Sequence, residues 1–327
     1  MRFLIIANPS AGRGRCARLL PKLRAALGTT GHEIQWLISE SQEHLTRLAR
    51  SGVEQRVDAI VACGGDGTVH YILQALFGGN SKFQIPSQSE LPNSNDQNAL
   101  PNVWDLGFGA SSFPAEAVAL GIIPVGRGND LARSLGLPLD YRKVGEMLRR
   151  AKIRRLDVAK AGERVYASVA GAGFDAEVTA LANQDSAWLR GKAVYVNAVF
   201  RTLARFTPKR LEMEYDDRRF VGEAMFVAIG NTTSYGGGLK IVPQAQPDDG
   251  WLDICIAKKT TKLELLRQLP SAYKGQHVHH PAIEMHRARR VAISSPDPVA
   301  LFGDGEFLQP LPVTIEVIPQ SLRVIVP

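Results

Sequence analysis

The hydrophobic pattern of the first half of the chain alternates between short apolar runs and longer amphipathic stretches. The apolar runs predict buried strands at Phe3–Ala7, Glu33–Ile38, Ala59–Val61 and Gly121–Val125. Between them, apolar residues recur every three to four positions, which predicts helices: Arg18–Leu27, Glu43–Arg50, Val69–Leu76, Leu131–Leu135 and Tyr141–Lys152. Strands that alternate with helices predict an α/β domain over residues 1–150, with a parallel, doubly wound sheet.

The pattern changes beyond Ile153, where short alternating or β-branched segments replace the helical spacing. The predicted strands are Arg155–Lys160, Val165–Ala170, Leu211–Tyr215, Phe220–Ile229, Leu252–Ala257, Arg290–Ser294, Val313–Ile318 and Leu322–Val326. Helical spacing returns at about 187–206 and at about 263–274. We therefore expect residues 151–327 to form a second domain, an antiparallel β-sandwich, with a barrel as the alternative.

One stretch, residues 78–114, has almost no periodicity and is rich in Asn, Ser, Gln, Pro and Gly. Such composition is typical of a loop that extends over the surface. We interpret it as an insertion in the first domain. A regulatory or membrane-contacting role is the alternative interpretation.

Composition narrows the classes of function. The 327 residues are enough for about two domains, and 45% hydrophobic with 22% charged residues is an ordinary globular composition. The three cysteines show no metal-ligand spacing, which favours reduced thiols in a cytoplasmic protein. No apolar run approaches the ~20 residues of a membrane-spanning helix. The net charge of +7 suits a membrane surface or nucleotide phosphates, and without a long basic tract nucleic acid is the least favoured partner.

Candidate chemistry centres on the glycine-rich turn Gly64–Thr68, between a predicted strand and a predicted helix. Its glycines let the backbone approach a bulky anion, and the free N–H groups at a helix start favour phosphate. Asp66 lies within this turn, and a carboxylate beside phosphate requires a cation between them or a proton. The turn therefore predicts either magnesium or proton abstraction beside a nucleotide. A plain strand-to-helix turn is the alternative.

Other glycine-rich and acidic motifs accompany this turn. In chain order they are Asn8–Gly12, Gly64–Thr68, Pro124–Arg133, Tyr235–Gly238, Pro247–Asp253 and Gly303–Glu306. In these motifs the chain resembles the diacylglycerol kinase catalytic domain of the lipid kinase superfamily over nearly its whole length.

The resemblance implies an enzyme that uses ATP and Mg²⁺ to phosphorylate a lipid hydroxyl, of the diacylglycerol type, at the inner face of a membrane. It also implies that the last strand returns to the first domain. A NAD kinase-like enzyme shares the GGDGT motif, and a non-catalytic lipid- or nucleotide-binding protein is the alternative from another class. The acceptor lipid and the oligomeric state, a homodimer included, stay open.

The resemblance assigns nucleotide binding to four loops and to the helix that follows one of them. The residues are Asn8, Pro9, Ser10, Ala11, Gly12, Ser39, Gly64, Gly65, Asp66, Gly67, Thr68, Val69, His70, Tyr71 and Arg127. Arg127 departs from the family pattern, which has a nucleotide-contacting threonine at this position. The arginine either pairs with a phosphate or points outward.

The resemblance assigns catalysis to four carboxylates. Asp66, Asp130 and Asp157 would share one magnesium and water network, and Glu306 would take the proton from the lipid hydroxyl. Structural roles are the alternatives. Asp130 is a candidate helix N-cap, Asp157 a strand residue paired with Arg155, and the Asp-Gly before Glu306 a hairpin turn.

A further acidic motif implies, by the same resemblance, a structural Mg²⁺ site. Its ligands would be Asp249 with main-chain oxygens of Gln246 and Trp251, and an Asp-Gly turn is the alternative. The histidines within residues 277–280 match no standard zinc spacing, so we expect them to be solvated. The basic and aromatic helix at 187–206 suits either contact with lipid or packing on the sandwich.

Overall fold

The computed structural model describes residues 1–28, 31–78, 117–184 and 192–327. In the first domain, four parallel strands pair in the order β2–β1–β3–β4: β1 Arg2–Ala7, β2 Glu33–Ile38, β3 Ala59–Gly64 and β4 Ala119–Pro124. The helices are α1 Ala11–Leu27, α2 Gln42–Glu54, α3 Asp66–Leu76, α4 Asp130–Ser134 and α5 Tyr141–Arg150. The predicted α/β architecture is confirmed. The predicted insertion at 78–114 lies outside the described residues, except for Gly78.

Two helix starts differ from the prediction, and both differences reshape the strand-to-helix loops. α3 begins at Asp66, three residues before the first apolar residue of its pattern, because Gly65 is extended and the helix starts directly after it. α1 begins at Ala11, but Gly12, Arg13 and Gly14 have left-handed backbone angles with φ of 60°, 58° and 76°. Its first residues therefore form a turn, and regular helix follows only after Gly14.

The second domain is an antiparallel β-sandwich with helices packed on it. Its strands are β5 Lys152–Ala161, β6 Arg164–Tyr166, β7 Val169–Gly173, β8 Lys209–Tyr215, β9 Arg218–Gly230, β10 Leu252–Lys258, β11 Ile283–Ala288, β12 Arg290–Ser294, β13 Ala300–Gly303, β14 Glu306–Pro310 and β15 Val313–Val326. Its helices are α6 Phe174–Gln184, α7 Lys192–Arg205 and α8 Lys262–Tyr273. One apolar core fills the space between the strands, and a second one packs α6, α7 and α8 against β9 and β10. The sandwich prediction is confirmed.

The last strand joins the two domains. β15 runs antiparallel to β5 and β12, and near its end Val324 pairs with Leu120 of β4 in parallel. The prediction had divided it into Val313–Ile318 and Leu322–Val326. The structure has one strand with a register shift between these segments, where Gln320 has a φ of 49°. Because one strand belongs to both sheets, the two domains share a continuous backbone hydrogen-bond network.

The histidine prediction was wrong for His277. Its side chain is 2% exposed, and its Nε2 lies 3.0 Å from the carbonyl oxygen of Ile241. Burial lowers the pKa of this imidazole. His280 instead lies 2.9 Å from the Glu264 carboxylate.

In the described part of the chain, no helix combines the length and the apolarity needed to cross a membrane.

Candidate active site

Two glycine turns meet at the carboxyl ends of the central strands β3 and β4. A Cβ atom added to Gly126 would lie 2.3 Å from the Cα atom of Gly65. The backbones of the two turns are therefore in direct contact, and no side chain fits between them. Neither residue has a positive φ, so the backbone conformation alone does not require glycine. The close approach of the two backbones does.

Asp66 joins these two turns. Its carboxylate accepts hydrogen bonds from the backbone N–H of Asn129 at 2.7 Å and of Asp130 at 2.6 Å. These are N–H groups at the start of α4, which a helix cannot satisfy internally. Asn129 holds the N-cap position with a φ of 53°, but its side chain makes no capping bond, so Asp66 performs the function that the sequence assigned to a local residue. Burial and the nearby charge of Asp130 raise the pKa of Asp66 to about 6.

Asp130 extends this network into the second domain. Its carboxylate accepts the N–H groups of Gly237 at 2.9 Å and of Gly238 at 3.0 Å. Burial is the largest cause that raises its pKa, and these two hydrogen bonds oppose the shift. A Cβ atom on Gly128 would lie 2.6 Å from the Asp66 carboxylate and 3.1 Å from that of Asp130. The two carboxylates therefore flank one glycine.

This donor set fits a divalent cation. Asp66 is half-buried and Asp130 is buried. Two such carboxylates close to each other gain from a positive charge between them, and Mg²⁺ prefers oxygen ligands. Within the described ranges, no three acidic, histidine or cysteine side chains converge as a metal site. An ion at Asp66 and Asp130 would take its remaining ligands from phosphates and water, as Mg²⁺ commonly does.

The hairpin of β13 and β14 carries the predicted base. Its two turn residues, Asp304 and Gly305, have φ of 53° and 84°, which is the backbone of a tight type I′ turn. The Asp304 carboxylate accepts the N–H groups of Ala167 at 2.9 Å and Ser168 at 2.8 Å. These bonds fix the turn against the residues that directly precede β7. The direction of Glu306, which follows the turn, is thereby fixed as well.

Glu306 lies against the first turn of α3. The hydroxyl of Tyr71 donates to its Oε2 at 3.3 Å, and its Oε1 lies 2.8 Å from the position that a Cβ atom on Gly67 would occupy. Burial raises the pKa of Glu306, while His70, the Tyr71 hydroxyl and Arg164 act in the opposite direction. The carboxylate of the second domain therefore reaches the helix start that the first domain presents.

The loop after β1 lies beside this helix start. The Asn8 side-chain oxygen accepts the N–H of Ser10 at 3.1 Å and its hydroxyl at 2.7 Å, and its amide approaches Thr68 Oγ1 at 3.4 Å. Pro9 and Ala11 belong to the same turn. A Cβ atom on Gly12 would lie 2.2 Å from the carbonyl oxygen of Val125. The structure thus brings Asn8–Gly12 and Gly64–Thr68 together, and Gly12 also contacts the turn after β4.

Other predicted nucleotide residues make contacts within the protein or are exposed, and their role stays a prediction. The Ser39 hydroxyl donates to the carbonyl oxygen of Ala7 at 3.3 Å, and Val69 is a core residue. His70 is completely buried and lies 3.2 Å from the Gln74 amide. Arg127 is exposed and makes no hydrogen bond or ion pair with the described residues.

Asp157 makes its own set of hydrogen bonds. It is fully buried, and its carboxylate accepts the N–H groups of Gly250 at 2.6 Å and Gln320 at 2.7 Å. Burial is the largest cause that raises its pKa, and the charges of Asp249 and Asp248 act in the same direction. The role of Asp157 in the magnesium network stays a prediction, and the predicted pairing with Arg155 is absent among the described contacts.

The predicted structural metal site contains an arginine. Asp249 accepts the N–H of Trp251 at 3.1 Å and forms an ion pair with Arg287, whose Nε also lies 3.5 Å from buried Asp253. Burial raises the pKa of Asp253 to about 6, and Arg287 opposes the shift. The guanidinium already balances these carboxylates, so the residues do not favour an ion here. The metal role of Asp249, Gln246 and Trp251 stays a prediction.

The sequence included Tyr235–Gly238 among the motifs of the site without showing its partner, and it assigned no individual role to Asp304 or Arg164. The backbone N–H groups of Gly237 and Gly238 bind Asp130, Asp304 anchors the hairpin, and Arg164 donates to the carbonyl oxygen of Phe307 at 2.7 Å beside Glu306. The GGG run and the Asp-Gly pair were visible signals for the first two. Arg164 has no local signal, because a single arginine in a short strand is indistinguishable from a surface residue.

The chain is similar to known proteins over both of its domains. The family described as "Diacylglycerol kinase catalytic domain" matches residues 2–161, and "YegS C-terminal NAD kinase beta sandwich-like domain" matches residues 168–326. A Mycobacterium tuberculosis protein named diacylglycerol kinase is 30% identical over 98% of this chain and 94% of its own length. The chain belongs to the diacylglycerol kinase family. Its members are lipid kinases, enzymes that transfer a phosphoryl group to an alcohol, and this chain is one of them.

Two further relatives agree with this assignment. A diacylglycerol kinase of Staphylococcus saprophyticus is 28% identical over 100% of this chain and 95% of its own length. A crystal structure of a diacylglycerol kinase from Bacillus anthracis is 22% identical, covers 100% of this chain and 97% of that chain, and has a TM-score of 0.68. At that identity, the crystal structure supports the fold alone.

The contact between the two glycine turns generates a first prediction. Gly126→Ala places a methyl group 2.3 Å from the Gly65 backbone, so the turns must separate. We expect a loss of about 1–3 kcal/mol in stability and weaker ATP binding, measured by thermal unfolding and isothermal titration calorimetry. Gly145→Ala in α5, where the Cβ atom meets only ordinary contacts, is the matched control. Wild-type stability and affinity for Gly126→Ala would contradict the interpretation.

The arginine at Asp249 generates a second prediction. Arg287→Met removes the guanidinium and leaves Asp253 buried without a cation, so we expect lower stability by about 1–3 kcal/mol and partial recovery with added Mg²⁺. Chelator should change the unfolding midpoint of wild type and of Asp249→Asn by the same amount, because we expect no ion at Asp249. Arg154→Met, which breaks the neighbouring exposed pair with Asp248, is the control. A midpoint that falls in chelator for wild type but not for Asp249→Asn would indicate an ion at Asp249.

Proposed function

We propose that this lipid kinase transfers the γ-phosphoryl group of ATP to the hydroxyl of a diacylglycerol-type lipid, with Mg²⁺. Residues 1–150 would bind the nucleotide and residues 151–327 the lipid. The observation that carries the proposal is the position of Glu306. Its carboxylate lies directly over Gly67, at the helix start where phosphate binding is favoured.

The nucleotide phosphates would lie between the loop Asn8–Gly12 and the start of α3. Both segments follow strands at the same edge of a parallel sheet, where ligands of such sheets bind. Glycines at 64, 65 and 67 remove side chains from the approach, and the α3 N–H groups and dipole favour the phosphate charge. These features support nucleotide binding at this edge.

Asp66 and Asp130 would hold the cation. Each carboxylate is fixed by two backbone N–H groups, so neither must reorganise when an ion arrives. When bound there, Mg²⁺ would neutralise charge on the phosphates, and phosphoryl transfer depends mainly on such positioning and charge stabilisation. The proposal does not depend on Asp157, whose carboxylate already accepts the N–H groups of Gly250 and Gln320.

Glu306 would accept the proton of the lipid hydroxyl. Burial raises its pKa, which makes the carboxylate a stronger base than a solvated glutamate. Tyr71 orients one carboxylate oxygen and leaves the other directed to the helix start. A hydroxyl bound there would lie between the base and the phosphate.

The acceptor determines where the enzyme works. Diacylglycerol is anchored in a membrane, so the protein would contact the inner membrane face peripherally from the cytoplasm. The net charge of +7 supports attraction to anionic lipid.

The base assignment generates a direct test. Glu306→Gln keeps the size of the side chain and removes its basicity, so we expect kcat to fall by about 10²–10⁴-fold with ATP affinity retained. The assay is transfer of labelled phosphate from ATP to diacylglycerol in mixed vesicles, with NAD⁺ as a parallel acceptor. Glu212→Gln, in an exposed pair with Arg219, is the control. Full turnover by Glu306→Gln, or product from NAD⁺ alone, would refute the proposal.

Tyr71 generates a prediction about pH. The groups that face Glu306 are Tyr71 and His70 from α3, Arg164 from β6 and Asp304 from its own turn. The Tyr71 hydroxyl stabilises the charged carboxylate, so Tyr71→Phe should raise the pKa of Glu306 further.

Because the charged form is the base, activity rises with pH through this pKa. The acid limb of kcat/KM should therefore move to higher pH in Tyr71→Phe, while the plateau falls less than about tenfold. Tyr273→Phe, on the exposed face of α8, should leave the profile unchanged. An unshifted acid limb in Tyr71→Phe would show that the hydroxyl does not act on the base.

A further inference from the structure

Two cysteine thiols are in contact beneath the proposed nucleotide loops. Cys16 in α1 and Cys63 in β3 have their Sγ atoms 3.6 Å apart, and both side chains are completely buried. Cys16 Sγ also lies 3.5 Å from the carbonyl oxygen of Cys63. All three cysteines of the chain, Cys255 included, are free thiols. Neither member of the pair takes part in the chemistry proposed above.

The pair occupies a sensitive place in the fold. Cys63 directly precedes the Gly64–Thr68 turn, and its carbonyl oxygen accepts the N–H of Asn8 at 3.0 Å. Cys16 follows the left-handed residues Gly12–Gly14 by two positions. The two thiols therefore connect the segments that would surround the phosphates.

A disulfide requires the sulfur atoms to approach from 3.6 Å to about 2.05 Å. The first turn of α1 can supply this movement, because Gly12, Arg13 and Gly14 are not held in regular helix. The movement would also change the positions of the loops around the proposed nucleotide site. Gly12 packs so closely on the carbonyl oxygen of Val125 that a shift of this turn must also disturb the turn after β4.

The two thiols have different chemical characters. A hydrogen bond from Cys63 lowers the pKa of Cys16, and the same contact raises the pKa of Cys63. This is the relation between an attacking thiolate and a resolving thiol. Both sulfurs are buried, but Arg15 and Ala17 on either side of Cys16 are exposed. Access of a reagent to Cys16 would require a local opening of the first turn of α1.

We propose that Cys16 and Cys63 are a site of reversible oxidative modification, at which a small-molecule disulfide forms an intramolecular cross-link that closes the nucleotide loops. The Cys16 thiolate attacks one sulfur of the reagent and releases one thiol. The Cys63 thiol then attacks the Cys16 sulfur and releases the second thiol. In total, two protein thiols are oxidised and one disulfide reagent is reduced to two thiols.

The experiment treats the full chain with oxidised glutathione, alkylates the remaining thiols and maps the peptides by mass spectrometry. We expect one cross-linked peptide pair that contains Cys16 and Cys63, with Cys255 alkylated. ATP affinity, measured by calorimetry before and after oxidation, should fall at least tenfold and return after dithiothreitol. This loss rests on the proposed nucleotide role of the two loops.

Variants separate the possible causes. Cys255→Ala should respond as the wild type does, while Cys16→Ala should keep its ATP affinity after oxidation. If Cys16→Ala does not fold, as judged by thermal unfolding, Cys63→Ala provides the same comparison. A glutathione adduct without the cross-link, or a cross-linked protein with unchanged ATP affinity, would overturn the inference. Reduced wild-type protein that does not bind ATP would instead refute the proposed function.

Discussion

The carboxylate of Asp66 determines the arrangement of the whole site. It accepts two backbone N–H groups at the start of α4, and so joins the turn after β3 to the turn after β4. A buried carboxylate without such partners would be costly, and a helix start without an acceptor would leave buried donors unsatisfied. Each group therefore compensates the other. The close approach that this requires explains why Gly65, Gly126 and Gly128 cannot carry side chains.

The same kind of contact recurs across the domain boundary at Asp130 and within the second domain at Asp304. Asp130 accepts N–H groups from Gly237 and Gly238, and Asp304 accepts N–H groups from Ala167 and Ser168. Each bond pair joins segments that are more than 100 residues apart in sequence. Glu306 differs from these aspartates, because the hydrogen bond described for its carboxylate comes from a side-chain hydroxyl. Three carboxylates are thus fixed by the backbone, while the fourth keeps the freedom that a proton acceptor needs.

The sequence predicted the fold class because its apolar periods are strong and its glycine motifs stand at strand ends. It failed where the outcome depends on tertiary partners. Asp157 matches an acidic pattern, but its side chain is directed to Gly250 and Gln320, which no local signal indicates. β11, β13 and β14 were not predicted, although strands of similar length such as β12 were.

Helix starts limited the prediction of the site in a similar way. The apolar face of α3 begins at Val69, so the pattern could not show that the helix itself begins at Asp66. That difference changes the direction of every side chain in the first turns. Tyr71 faces Glu306 and His70 is buried beside Gln74, whereas the motif suggested that both bind nucleotide. The motif locates the site, and the position of the helix start determines which residues reach it.

The α3 helix also sets the distance between the two halves of the proposed reaction. It begins with Asp66 at the cation side and presents Tyr71 to the base five residues later, a rise of about 7.5 Å at 1.5 Å per residue. Gly67, between them, lies under the free oxygen of Glu306. A helix is rigid over this length, and the hydrogen bond from Tyr71 connects Glu306 to it. The proposed phosphoryl transfer would therefore rely on one turn and a half of helix to place Tyr71 relative to Asp66, with the lipid hydroxyl as the remaining component.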